Sequence, residues 1–333
     1  MKIGLISITR DFKKEMHSGN FREFRYAEKE LKQMGDVVVL TTDNLIEHDP
    51  ESFDFFFMTM SAINFFGGVI NSSWVSKWNF LAQAHRPIFY WFSDSAIPLV
   101  DMYVLVKKKD ISIKILELDY RLVSYIHCFK GGEVEDVIES KKYAIVPDRS
   151  YYYDLSESYF KYEKMMIPSF SGNKEICYIG NSRGGARNKQ LLKYAEFTPL
   201  VLYGDWKLDG DFTVNKPFKE SLLQEKLNKY FGQLCIYDSK QTQYEMNNFR
   251  IAITVASGIL PIIDEKCAYD DVPEFAKILI ASDHESINRI KAITISQRYG
   301  IIKKYQTYLK ERYAKQDLIK LLTTMLYEAK ENT

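Results

Sequence analysis

The sequence predicts an α/β protein built as two halves with a ligand crevice between them, and three observations carry that reading. Strand-like and helix-like patterns alternate from the first residues. The alternation resumes as a second series at residue 175. Between the two, residues 106–165 hold only short apolar runs and a Tyr-rich polar segment, "RSYYYDLSESYFKYEK", the expected connection between the halves. A chain of 333 residues has ample material for two cores, and 46% hydrophobic against 27% charged residues excludes a disordered chain.

The elements follow in order. "KIGLISI" (2–8) reads as a buried strand, and Ser18, Gly19 and Asn20 offer a helix start. Phe24, Ala27, Leu31 and Met34 then make one apolar helical face, which Gly35 can stop. "DVVVLTT" (36–42), "DFFFMTM" (54–60) and "RPIFYWFSD" (86–94) read as strands, with a helix predicted over 75–85. In the second series "EICYIG" (175–180), "PLVLYG" (199–204), "QLCIYDS" and "ILPIID" are strands. Helices are predicted over 186–197, 219–231 and 247–258, the last ending at Gly258. Ser282 and Glu285 have the spacing of a capping box for a further helix, and the tail from Lys303 is mostly helical.

Composition removes several classes of function. A formal net charge of +1 means that any basic surface is local and balanced elsewhere. The four cysteines are dispersed without C-x-x-C spacing, Cys177 and Cys235 read as buried thiols from their apolar flanks, and a reducing, cytoplasmic setting is expected. "MKIGLISI" is too short, and too abruptly followed by "TRDFKKE", for a signal peptide, and no apolar run reaches the length of a membrane span. The five histidines show no metal-ligand spacing, and there is no nucleophile elbow.

Ligands of such sheets sit at the carboxyl ends of strands. "YIGNSRGGARNK" (178–189) runs from a strand end through a polar loop into a helix, where free backbone N–H groups and the helix dipole favour an anion. Arg183 and Arg187, four apart, suit a pyrophosphate there, although the loop is neither G-x-G-x-x-G nor a Walker loop. A solvated Gly-rich connection fits the residues equally well. Asp94 directly follows a strand; it is a turn aspartate on the plainer reading and a general base on the sharper one. Glu23 in a first helical turn is a dipole partner or a ligand contact. Arg250, early in an apolar helix, either snorkels to water or reaches an anion. Lys107, Lys108 and Lys109 form a basic run, usually no more than a solvated loop. "SAINFFGG" (61–68) sets two phenylalanines beside a glycine pair where a strand is ending, so the rings either fold into the core or meet a partner.

That octet resembles a segment of the T-even phage DNA β-glucosyltransferase family, at a similar distance from the N-terminus. "FYWFSDSAIP", "YIGNSRGGAR" and "FRIAITVASGILPIID" are similar to the family's catalytic-aspartate strand, its phosphate loop and its phosphate-arginine segment, in the same order. The resemblance implies a GT-B fold, two Rossmann-like domains facing each other across a cleft, with a C-terminal helix crossing back. The implied division is an acceptor domain (1–165), a nucleotide-sugar domain (166–310) and a C-terminal helix (311–333). It implies a UDP-sugar donor, with Mg2+ or Mn2+ allowed for, and 5-hydroxymethylcytosine in duplex DNA as acceptor. By motif match Asp94 becomes the general base of an inverting transfer. Gly19, Glu23, Gly180, Asn181, Ser182, Arg183, Arg187 and Arg250 become donor contacts. Asn64, Phe65, Phe66 and Gly67 become a DNA wedge, and Lys107, Lys108 and Lys109 a second DNA element. The protein is expected to act as a monomer in the cytoplasm of a phage host.

The sequence departs from the family at one position that matters. Where the family has a ribose-binding glutamate three residues after its arginine, Arg250 is followed by Ile253. A pentose donor therefore stays open, as does a GT-B transferase for a small-molecule or glycan acceptor, or a catalytically dead binding module.

Overall fold

The computed structural model describes residues 1–6, 22–41, 43–59, 80–81, 83–84, 86–92, 125–130, 149–152, 165–168, 172–180, 185–219, 222–236, 249–268, 272–313 and 317–331. The chain divides into two compact units, 1–155 with 316–333, and 156–315.

In the first unit β1 (Lys2–Ile6) is flanked by β2 (Asp36–Leu40) and β3 (Phe55–Thr59), and β4 (Pro87–Phe92) pairs beyond β3, all parallel. Parallel strands are covered on both faces, so "FFFMT" reads as a continuous apolar run rather than an alternating one. Phe56 lies over Gly4, where an added Cβ would come within 2.4 Å of the ring; the glycine permits that approach. β5 (Tyr125–Lys130) and β6 (Arg149–Tyr152) extend the sheet antiparallel, giving the order β2-β1-β3-β4-β5-β6. Arg149–Tyr152 is thus a sheet strand and not part of a connection. Its "RSYY" stretch is short and polar, so edge pairing rather than pattern decides its conformation. Helix α1 (Arg22–Leu31) buries Phe24, Ala27 and Leu31 as the periodicity predicts, and the Gly35 amide donates to the Leu31 carbonyl at its end.

The second unit is a six-stranded parallel sheet in the order β12-β11-β10-β7-β8-β9. Its strands are β7 (Ile176–Ile179), β8 (Leu200–Tyr203), β9 (Phe212–Asn215), β10 (Gly232–Cys235), β11 (Leu260–Asp264) and β12 (Ile280–Ala281). The chain winds outward from β7 through β8 and β9, then returns to β10 beside β7 and winds the other way. That reversal makes the carboxyl ends of β7 and β10 the topological switch point, where open α/β sheets bind ligands. In the first sheet the reversal falls between β1 and β3.

Helix α2 (Gly185–Ala195) follows β7, and the helix predicted over 219–231 shrinks to α3 (Leu223–Leu227). The Phe231 amide is already bonded to the Glu175 carbonyl at the sheet, so the chain leaves the helix early. Helix α4 (Phe249–Ala256) ends at Gly258, whose φ of +75° and close approach to the Ile167 carbonyl suit only glycine. Helix α5 (His284–Lys291) is capped one residue later than the sequence suggests. Asp283, not Ser282, accepts from the Ser286 amide at 2.8 Å, and the Ser286 hydroxyl accepts from the Asp283 amide at 3.0 Å. Helices α6 (Ile295–Tyr313) and α7 (Leu318–Glu331) form the tail, and α7 packs against α1 in the first unit. The α/β two-sheet architecture read from the sequence therefore stands. Among the described residues no helix is long and apolar enough to cross a membrane.

Candidate active site

The residues singled out in the sequence share one topological feature: they follow the carboxyl ends of parallel strands. Glu23 lies in the first turn of α1, after β1; Asn64, Phe65, Phe66 and Gly67 come after β3; Asp94 stands two residues beyond β4. Gly180 closes β7, Arg187 is the third residue of α2, and Arg250 is the second of α4. Gly19, Asn64, Phe65, Phe66, Gly67, Asp94, Lys107, Lys108, Lys109, Asn181, Ser182 and Arg183 lie outside the described residues, so the built part of the site is Gly180, Arg187, Arg250 and what surrounds them.

The end of β7 is stiff. The Gly180 amide donates to the Tyr203 carbonyl of β8 at 3.0 Å. The preceding Tyr178 is fully buried, its ring edge-on to Trp206 at 5.7 Å. Above that ring sits the Arg250 guanidinium, with its carbon 4.5 Å from the ring centroid, a cation–π contact. Arg250 also donates from one terminal nitrogen to the Ile179 carbonyl, joining the start of α4 to the end of β7.

The electrostatics are unusual. A helix start carries partial positive charge and attracts acidic side chains, yet neither α2 nor α4 has an acidic residue in its first turn, and each has an arginine there. Arg187 is only 7% exposed. No acidic side chain pairs with Arg250 among the described residues, and its Nε makes no hydrogen bond there. A cation such as Arg250, at a helix start beside a strand end and without an acidic partner among the described residues, is costly on its own and becomes favourable once an anion arrives.

Beneath α4, Gln233 and Thr254 form a buried hydrogen bond of 2.7 Å, and the Thr254 hydroxyl also lies 2.6 Å from the Arg250 carbonyl oxygen. Ile253 is 9% exposed and packs with Cys177, Val201, Leu227, Tyr230 and Ile259, so the position that carries a carboxylate in the resembling family is core here. On the rim of that cluster the Tyr203 and Tyr230 hydroxyls are 2.7 Å apart, and Phe218 stacks edge-on to Tyr203 at 5.0 Å. Burial pushes the Cys235 thiol up to about 12 and raises Cys177 further, outweighing the nearby Arg250 charge. Both are therefore inert packing groups and not nucleophiles, as their apolar flanks suggest. Among the described residues no three His, Cys, Asp or Glu side chains gather as a metal site would require.

Sequence reasoning passed over Tyr178, Gln233 and Thr254. Tyr178 was visible as the alternate position in "CYIG", facing away from Cys177, but a strand pattern says nothing of what crosses over from another helix. Gln233 was the sole polar residue inside "GQLC", a signal that was there to be taken.

Comparison with known proteins agrees with the motifs. Residues 15–154 match the family model described as bacteriophage T4 β-glucosyltransferase. The DNA β-glucosyltransferase of Enterobacteria phage T4 is 25% identical over 268 residues, spanning 72% of this chain and 74% of that protein. Among solved structures, T4 phage β-glucosyltransferase in complex with UDP-glucose superposes with a TM-score of 0.63 at 15% identity, over 94% of this chain and 97% of the other. The same enzyme with UDP and Mn2+ gives 0.59 at 17% identity over the same shares. An α-glucosyltransferase in complex with UDP-glucose and abasic-site DNA gives 0.58 at 10% identity, over 98% of each chain. At these identities the structural likeness speaks for the fold, which is that of the two-domain glucosyltransferases. The family resemblance carried by the motifs is borne out.

Proposed function

We propose that this relative of the phage DNA β-glucosyltransferases moves glucose from UDP-glucose to the hydroxymethyl group of 5-hydroxymethylcytosine in duplex DNA, with inversion at the sugar C1. The observation that carries the reading is Arg250, a part-buried cation at the positive end of α4, beside the switch point of the second sheet, without an acidic partner among the described residues. A diphosphate supplies the missing charge.

The chemistry asks little else of the chain. A primary alcohol is a weak nucleophile, so a carboxylate must take its proton as the oxygen attacks C1; Asp94 is assigned that part. The C1–O bond to the diphosphate breaks as the new bond forms, and UDP departs with added negative charge. Arg183, Arg187 and Arg250 are assigned to stabilise that charge, as cations held before the donor binds do without reorganising. Gly19, Glu23, Gly180, Asn181 and Ser182 complete the donor contacts. The target base must leave the duplex, at a cost of a few kcal/mol. Asn64, Phe65, Phe66 and Gly67 are assigned to fill the gap, and Lys107, Lys108 and Lys109 to hold the phosphate backbone. The acceptor groups thus come from residues 1–165, and the donor groups from 166–310 apart from Gly19 and Glu23, in a monomer. A divalent ion, if used, would neutralise charge on the diphosphate, and no side chain is assigned to it.

The test is direct. The protein is incubated with UDP-glucose and, separately, other UDP-sugars, together with hydroxymethylcytosine duplex, and the DNA is digested to nucleosides for mass analysis. Addition of one hexosyl group from UDP-glucose is expected. No added sugar with any donor would sink the reading, and transfer from a UDP-pentose alone would change the donor.

A further inference from the structure

An arginine that stabilises a leaving group without reorganising must be held in place before the donor binds, and its long side chain has many rotamers to lose. Two contacts restrain Arg250. One is its hydrogen bond to the Ile179 carbonyl, and the other is the Tyr178 ring face, 4.5 Å from the guanidinium carbon. The ring cannot easily shift. Tyr178 is 0% exposed, it is wedged edge-on against Trp206 at 5.7 Å, and a Cβ at Gly180 would lie 3.2 Å from its Cε1. The Tyr178 hydroxyl is buried and makes no hydrogen bond among the described residues. It lies beneath Gly180, 3.4 Å from where a Cβ of that residue would stand, and it is the ring face of Tyr178 that meets Arg250.

We propose that Tyr178 is the positioning residue of the diphosphate site. Its ring face and the Ile179 carbonyl together fix the Arg250 guanidinium, so that the remaining N–H groups await the phosphates. The inference rests on the reading that Arg250 binds the donor's diphosphate, and it adds the device that holds the arginine there. Gly180 belongs to the same device, because a side chain at that position would press on the ring.

The test compares UDP and uridine affinities of the full chain by calorimetry. Tyr178→Leu removes the ring face and is expected to weaken UDP about tenfold, with uridine unchanged within about twofold. Tyr178→Phe keeps the ring and is expected to bind UDP as the parent does. Replacing Tyr178 with trifluorophenylalanine keeps the shape but drains the ring's negative face, and is expected to weaken UDP toward the leucine value. This variant decides the matter should the leucine variant fail to fold. In an Arg250→Met background, Tyr178→Leu is expected to cost nothing further. Parental UDP affinity in both the leucine and fluorinated variants overturns the proposal. So does an equal loss of uridine and UDP, or simple addition of the Tyr178 and Arg250 losses. If Arg250→Met itself binds UDP as the parent does, the diphosphate reading of Arg250 fails first, and that result is distinguishable from failure of Tyr178 alone.

Discussion

Thr254 donates its hydroxyl proton to Gln233 across 2.7 Å, with both residues almost wholly shut off from solvent. The bond pins the first turns of α4 to β10, and so pins the helix that carries Arg250. Thr254→Val keeps the shape but strands the Gln233 amide oxygen. The expected loss is about 1–3 kcal/mol of unfolding free energy, the cost of an unsatisfied buried polar group, read by chemical denaturation. A loss below about 0.5 kcal/mol would show that the bond stabilises nothing.

Ile253 gives a second expectation. Restoring the acid that the resembling family carries at this position, with Ile253→Glu, ought to help the nucleotide if the side chain could reach it. Ile253 instead packs against Cys177, Leu227 and Tyr230, so the new carboxylate is buried without a partner. The variant is expected to lose several kcal/mol of stability and to gain no UDP affinity. Tighter UDP binding by a stable Ile253→Glu protein would contradict this.

Asp94→Ala separates chemistry from binding. The turnover rate is expected to fall about 10²–10⁴-fold, the usual contribution of a positioned base. UDP affinity should stay within about twofold, since the arginines are untouched. Loss of both together would mean that the side chain supports the donor and not the acceptor alcohol.

The buried thiols set a pH window. The Cys235 pKa is raised by burial to about 12, above its ordinary value near 9. A group raised in this way contributes its full stability below about pH 9 and loses it as the pH climbs toward 12, because only the unfolded chain then ionises. Within that window each thiol removes about 1.4 kcal/mol per pH unit. Stability of the parent is expected to fall more steeply above pH 9 than that of Cys235→Ala, whose curve lacks this component. Identical slopes would show that the thiol is not shielded.

Much of the architecture was legible because parallel strands write themselves as unbroken apolar runs and their helices as 3.6-residue faces. "DFFFMTM", "EICYIG" and the Phe24–Ala27–Leu31 stripe each became what the pattern predicted. What stayed hidden depended on partners distant in sequence. Arg149–Tyr152 is a strand only because β5 runs beside it. The helix over 219–231 gave up its C-terminal end to the sheet edge at Phe231. The site was half legible. An arginine at a helix start is a local signal, but the tyrosine beneath it comes from a strand 72 positions earlier and has no local mark.

The first unit closes with α7, which lies beyond the whole of the second unit in the chain and rests on α1. A ribosome therefore releases the second unit's complete sequence before the first can finish its own core, and α1 must wait with its α7-facing surface uncovered. Truncation at residue 315 should accordingly injure the sheet at the start of the chain while sparing the one just completed.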